Sequence, residues 1–395
     1  MIINRAVRSK PLCSEVGRFL EWIRTAAATG VVAFLAATRL HAEPAIVRYL
    51  GAPSCSASSC HGGAGEHRDQ WIQWNSNDVH RRSATTLTLA RSAQIATAAG
   101  LTAPASQSRC TVCHAPFAGV PVAERLGELD RSEGVSCESC HAPAEGWVRS
   151  HTRTDRDGFT YRDKIAAGLR DLRNPYVRAN TCVACHLNVD RDLLQAGHPE
   201  LIFELDGQTL GEPRHWREAA GFSSPRAWWV GQAVALREVS WQLSRPGQAD
   251  DRLKARQAGL RWVVELSESI VLPGGKVLGA VMDPTAVQSA ADERARAGST
   301  VDWPASKTTA LLHQLAAAAS KFRDSGVSND IHARRGEGLV LALDRLLAGS
   351  DPAVESGMEL EMKELFRLAQ SLPEFDPARF AAGLETFTTR LNGKR

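Results

Sequence analysis

Methionine is scarce in this chain, and its positions limit the kinds of site that the first half can form. The 395 residues include four methionines, Met1, Met282, Met358 and Met362. A thioether is therefore not available as a metal ligand between residues 2 and 281. Segments that alternate polar and apolar residues are also rare beyond residue 222, which argues against β-structure there.

Long hydrophobic runs are missing as well. The apolar stretch at residues 26–38 is shorter than the roughly 20 residues that cross a bilayer. We therefore expect no spanning helix, and any membrane association would use other contacts. Basic residues precede this stretch and Leu40-His41-Ala42 follows it, a pattern typical of a secretory signal. We expect residues 1–42 to be a signal peptide and the protein to be periplasmic or otherwise exported; the alternative is an uncleaved N-terminal anchor.

Neither sign of charge dominates. The whole chain has 47 Lys and Arg against 44 Asp and Glu. Residues 1–42 contain six of the basic and two of the acidic residues, so the remainder has 41 against 42. Because there is also no basic stripe with interleaved aromatic residues, a nucleic acid is not an expected partner.

Cysteine, in contrast, is concentrated in one repeated pattern. Eight of the nine cysteines lie in four copies of Cys-x-x-Cys-His, of which the first is widened by two residues. The copies are Cys55 to Cys60 with His61, Cys110 to Cys113 with His114, Cys137 to Cys140 with His141, and Cys182 to Cys185 with His186. This pattern is typical of c-type haem attachment.

Each residue of the pattern has one role in that chemistry. The two thiols add across the vinyl groups of a haem, and the adjacent imidazole ligates the iron. The motifs thus predict four covalently attached c-type haems, held by eight thioethers and by His61, His114, His141 and His186. Covalent haem is attached after export, so the signal peptide and the motifs support each other.

Three other interpretations of the cysteines stay open from the sequence. Zinc sites use paired Cys-x-x-Cys motifs but need no histidine directly after them. Thioredoxin-like motifs normally occur singly in a βαβ context. Structural disulfides suit an exported protein, although only Cys55 and Cys60 are spaced for a simple bridge.

The second axial ligands are expected to be histidines, because no methionine lies near the motifs. Bis-histidine ligation gives lower potentials than histidine–methionine ligation. The candidates that lie among the motifs or shortly after them are His80, His151, His198 and His215. His67 follows His61 too closely to be favoured, and His313 and His332 belong to the second half of the chain.

The fold class expected is mainly α, in two regions. Residues 43–216 would form a tetrahaem cytochrome c domain with little regular structure, in which haems replace an apolar core and short helices begin at or just after each motif. Residues 222–395 would form a C-terminal α-helical bundle of five to seven helices, or a packed extension of the haem domain. Helix starts are predicted at Ser224-Pro225, Asp283-Pro284, Asp351-Pro352 and Asp376-Pro377.

Helical periodicity also predicts the core of the second region. Apolar residues recur on single helix faces at Leu253, Leu260, Val263, Val264 and Ile270, at Leu311, Leu312 and Leu315, and at Leu339, Leu343 and Leu346.

At its motifs the chain resembles the tetrahaem cytochrome c family that accepts electrons from hydroxylamine oxidoreductase. The stretches that carry the resemblance are residues 49–80, 134–145, 182–187 and 196–205. The resemblance implies that His80 ligates the third haem and His151 the first, with His198 or His215 on the fourth. It also implies that the second haem, on His114, can lack a sixth ligand, although this chain has a histidine to spare for it.

The leading functional hypothesis is an electron carrier rather than an enzyme. It would pass electrons by outer-sphere hopping between redox partner proteins, namely a cytochrome or quinol-linked donor and a terminal reductase or oxidoreductase. The alternative is a multihaem reductase or oxidase of small nitrogen or sulfur compounds, with the open iron on His114. A further interpretation, compatible with the first, makes the C-terminal helices a docking module.

Overall fold

The computed structural model describes residues 47–65, 68–127, 129, 130, 133–152, 160–274, 278, 283–370 and 374–393. The expected signal peptide, the ninth cysteine Cys13, and His67 lie outside these residues. Residues 47–395 form one compact unit.

The prediction of a mainly α fold is confirmed. The described part of the chain has one isolated β-bridge, between Tyr49 and Arg125. None of its helices combines the length and apolar character that a membrane crossing requires. The α-helices are α1 Gln70–Asn77, α2 Ala90–Ala98, α3 Ser108–His114, α4 Cys137–His141, α5 Tyr161–Ala166, α6 Pro175–His186, α7 Arg191–Gln195, α8 Leu205–Gly211, α9 Ser224–Ser244, α10 Asp251–Val271, α11 Pro284–Thr300, α12 Ala305–Ala316, α13 Asn329–Ala348, α14 Pro352–Ser356, α15 Glu359–Ala369 and α16 Pro377–Asn392.

Three motifs lie at the C-terminal ends of helices. Helices α3, α4 and α6 each end on the motif histidine. The expectation that helices begin at or after the motifs is wrong for α3 and α6, which begin upstream, and correct for α4, which begins at Cys137. The signals that start them lie upstream. In α6, for example, the Asn174 side chain caps the first turn and Pro175 follows it.

The second half contains eight α-helices in its described residues, α9 to α16, more than the five to seven expected. Three predicted starts are exact, because Asp283, Asp351 and Asp376 each cap a helix that begins with proline. The first helix begins one residue early, since the Ser223 hydroxyl accepts the capping hydrogen bond from Arg226 N.

The predicted apolar faces are buried and belong to one core. Leu253, Val263 and Val264 on α10 are at most 2 % exposed, and the other predicted faces also contribute. This core is not confined to the second half. It includes Ala179 and Val183 on α6, the helix that carries the fourth motif.

The haem-motif region has little apolar core of its own. Apart from the residues that join the large core, its buried hydrophobic cluster consists of Ala84, Leu87 and Ala115. Side chains around the first three motifs thus bury too little apolar surface to account for a stable fold by themselves. Bound macrocycles would supply the missing apolar volume.

The close approach of α9 and α11 gives a test of the helical core. Gly298 on α11 lies against the fully buried ring of Trp229, and a Cβ at this position would clash with the indole. We predict that Gly298→Ala lowers the free energy of unfolding by about 1–3 kcal/mol, as overpacking does. Gly211→Ala is the matched control, because nothing lies near its Cβ position. Equal stability of the two variants in chemical denaturation would contradict this packing.

Candidate haem-binding site

Helical geometry brings the reactive groups of each regular motif together. Residues three and four apart share one face of a helix, so in α3, α4 and α6 the first cysteine lies beside both the second cysteine and the histidine. The widened first motif reaches a related arrangement without an α-helix. A 3₁₀ turn at Ala52–Cys55 leads into it, and His61 N donates to Cys55 O at 3.3 Å.

The eight motif cysteines are free thiols. No disulfide therefore links Cys55 to Cys60. Among the described residues, no three or more His, Cys, Asp or Glu side chains are grouped so as to hold a metal ion by themselves. This arrangement does not fit a zinc site closed by protein ligands, and it leaves every motif thiol available.

Each motif histidine faces one of the four candidate distal histidines. The ring centroids are 6.0 Å apart for His61 and His151, 5.8 Å for His186 and His80, 6.4 Å for His114 and His198, and 6.5 Å for His141 and His215. All eight histidines are used, and each is used once.

These separations fit a metal between the rings. Metal–imidazole bonds are about 2 Å long, so two axial imidazoles on opposite sides of one iron have centroids about 6 Å apart. Three of the pairs have edge-to-face geometry, with interplanar angles of 64° to 74°, and the pair of His61 and His151 is stacked, at 24°. The donor set therefore fits a six-coordinate iron at each motif.

Hydrogen bonds at Nδ1 orient most of these rings and leave Nε2 for a metal. Four of the bonds go to polar groups from the same segment or the adjacent turn. Nδ1 pairs with Gln70 Oε1 at 2.8 Å in His61, with Val148 O at 2.6 Å in His151, with Pro199 O at 2.8 Å in His198, and with Pro213 O at 3.3 Å in His215. Sequence reasoning missed these partners, and three of the four are backbone carbonyls, which leave no signal in side-chain identity.

A carboxylate orients His80. One oxygen of Asp78 accepts from both the backbone N and Nδ1 of His80, at 2.9 and 3.0 Å, and Glu212 lies 3.3 Å from the same Nδ1. Burial opposes the charged form of Asp78, but the hydrogen bonds from His80 outweigh it and hold the pKa of Asp78 below its ordinary value. The position of Asp78, two residues before His80, is the signal that could have identified it.

The remaining rings have weaker or different partners. The His114 Nδ1 lies 2.9 Å from Thr86 Oγ1. The His186 Nδ1 lies 3.4 Å from the Gln208 side-chain nitrogen, while Gln208 Oε1 is buried without a partner. Rotation of this amide by 180° would bring the oxygen toward the ring. His141 is deeply buried, which lowers its pKa to about 4 and keeps the imidazole in its neutral, ligating form.

The motifs approach one another in pairs. Cys55 of the first motif and Cys137 of the third are within hydrogen-bonding reach, and the pKa of Cys137 is raised by this contact and by burial. Cys113 of the second motif and Cys185 of the fourth are related in the same way. Burial raises the pKa of Cys182, and the nearby Cys140 of the third motif adds to this increase.

A buried glutamate inside the third motif ties the first motif to it. The Glu138 side chain is 2 % exposed and accepts from the backbone N–H groups of Leu50, Gly51 and Ala144 at 2.7 to 3.1 Å. Hydrogen bonds from three backbone N–H groups offset the desolvation cost of burying this carboxylate. Sequence reasoning did not single out Glu138 and missed this role.

The pairing differs in part from the one that the resemblance implied. His151 does lie beside His61 of the first motif. His80, however, faces His186 of the fourth motif, not His141 of the third, because the 3₁₀ segment Val79–Thr88 directs it there. His215 faces the third motif, and His198 faces the second, so neither serves the fourth.

These features together support one class of protein, the c-type cytochromes. Residues 55–142, well under half of the chain, match a family model described as "Cytochrome c554 and c-prime". The match supports covalently bound haem and a role in electron transfer. No curated protein and no solved structure matches the chain.

The Asp78–His80 contact predicts the potential of one haem. A carboxylate that accepts from Nδ1 makes an imidazole a stronger donor and stabilises the ferric state. Asp78→Asn should therefore raise the potential of the haem on the fourth motif by roughly 50 mV, close to the 59 mV of a tenfold change in a one-electron equilibrium. A spectroelectrochemical titration measures this shift.

The control for this titration is Asp251→Asn, which removes the same charge from a side chain that is 94 % exposed. It should leave all potentials within experimental error. Identical titrations for the two variants would show that Asp78 does not tune this iron.

Proposed function

We propose that this protein is an exported tetrahaem c-type cytochrome that transfers electrons between redox partner proteins. The observation that carries the proposal is the set of four histidine pairs, one for each Cys-x-x-Cys-His motif, at separations of 5.8 to 6.5 Å. When bound, the haems supply one-electron iron couples and a route for outer-sphere hopping.

The chain's own residues support hopping in a defined order. Cys55 contacts Cys137, and Cys185 contacts Cys113. Cys140 of the third motif lies close enough to the fourth motif to interact electrostatically with Cys182 and Cys185. The resulting route runs from the first motif to the third, then the fourth, then the second. The first and second motifs are its ends, where electrons would enter and leave.

The position of His198 favours a carrier over an enzyme. A reductase or oxidase of small nitrogen or sulfur compounds needs an open iron, and the sequence suggested His114 as its site. The His198 ring lies 6.4 Å from that of His114, with its Nδ1 already bonded to Pro199 O. No observation in the described residues favours the enzymatic alternative.

The compartment and the partners follow from the same chemistry. Covalent haem attachment calls for export, which residues 1–42 would direct to the periplasm. The expected partners are a cytochrome or quinol-linked donor and a terminal reductase or oxidoreductase. The exposed ends of the route, rather than a substrate pocket, would meet them.

The haem count and the spin state test this function together. The intact mass of the mature protein should equal the chain from residue 43 plus four haems, and electron paramagnetic resonance should show low-spin ferric iron. His151→Ala should convert the first haem to high spin, whereas His313→Ala, in α12 and outside the four pairs, should not. Fewer than four haems, or a high-spin signal in the unaltered protein, would contradict the proposal.

A further inference from the structure

The segment that presents His198 continues directly into a cluster of charged residues from the C-terminal helices. The loop bends at Gly197, whose φ of 102° favours glycine, and His198 N donates to Leu193 O at 2.9 Å. Pro199 follows and restricts the backbone between His198 and Glu200. The position of the Glu200 carboxylate is therefore coupled to that of the imidazole.

Three arginines surround Glu200. Arg252 Nη1 lies 2.8 Å from Oε1, Arg334 Nη2 lies 2.7 Å from Oε2, and Arg256 Nη1 lies 3.4 Å from Oε1. Arg252 and Arg256 belong to α10, and Arg334 belongs to α13. Arg256 also donates to the carbonyl of Leu201, so the helices hold the backbone as well as the side chain.

Burial makes these contacts stronger than ordinary surface ion pairs. The side chains of Arg256 and Arg334 are 9 % and 15 % exposed, and Glu200 is 25 % exposed. The three arginines compensate the buried charge of Glu200 through ion pairs of 2.7 to 3.4 Å. Loss of this carboxylate would leave buried cations poorly compensated, which is costly.

A second set of contacts holds the other end of the same segment. Asp190 pairs with Arg109, on the helix of the second motif, and with Arg245 just after α9. Gln242 on α9 donates to Val189 O at 2.8 Å. The segment from 189 to 201 thus lies between the His114 helix and the C-terminal helices, held by polar contacts at both ends.

We propose that the C-terminal helices determine the coordination of the second haem. Their arginines bind the Glu200 carboxylate and thereby place His198 opposite His114. Glu200 is a positioning residue here, and the three arginines are its anchor. This inference rests on the proposed function, because it needs a haem on the second motif. It gives the C-terminal half a role inside the molecule, besides any contact with a partner.

The test uses the full-length holoprotein with Glu200→Gln, which keeps the shape of the side chain and removes its charge. The expected result is a high-spin ferric signal from the second haem and binding of carbon monoxide to its ferrous form, with four haems still present by mass. Glu200→Asp keeps the charge and should restore much of the low-spin signal.

The matched control is Glu337→Gln. Glu337 pairs with the same Arg334, at 3.1 Å, but lies within α13 and has no ion pair with residues 189–201 in the described part of the chain. It should stay low spin. Should Glu200→Gln yield no holoprotein, Arg252→Gln replaces it, since this arginine is 32 % exposed and the same signal is expected at lower intensity.

His198→Ala separates failure of this inference from failure of the proposed function. If His198→Ala produces a high-spin haem but the Glu200→Gln and Arg252→Gln variants that fold remain entirely low spin, the anchoring role is overturned. If His198→Ala itself leaves the spectrum unchanged, His198 is not a ligand, and the proposed coordination fails together with the inference.

Discussion

The arrangement of this molecule depends on one constraint: each motif histidine lies opposite a second imidazole, which comes from a distant part of the chain. His61 meets His151, His80 meets His186, His114 meets His198, and His141 meets His215. Every such pair closes a long loop, at an entropic cost that a strong metal–ligand bond would offset. Bound haems would in this way stabilise the haem-motif region, which has only a small apolar cluster of its own.

The polar groups around the imidazoles serve the same constraint. A ring that must meet an iron through Nε2 needs its other nitrogen fixed, and backbone carbonyls, Gln70, Thr86 and Asp78 provide partners at Nδ1. Glu138 positions backbone in a similar way, because its carboxylate holds Leu50 and Gly51, just before the first motif, against the third motif. The same side chains that position the imidazoles would in this way also tune the reduction potentials of the haems.

Local features of this chain were readable from its sequence, and long-range ones were not. The Cys-x-x-Cys-His motifs, the helix starts at Asp283, Asp351 and Asp376, and the apolar faces of α10, α12 and α13 depend on residues close in sequence. Which distal histidine meets which motif depends on how loops close, so the pairing of His80 with His186 appeared only in the fold. The number of C-terminal helices was underestimated because the helix predicted to start at Asp351-Pro352 ends at Ser356, and the start of α15 at Glu359 has no capping side chain to signal it.

A high-resolution experimental structure of the mature holoprotein tests the central claim most directly. The account predicts four haems, each bonded to the two cysteines of one motif, with every iron between Nε2 atoms of one of the four histidine pairs. An iron that lacks its distal histidine, or that takes it from a different pair, would contradict the account.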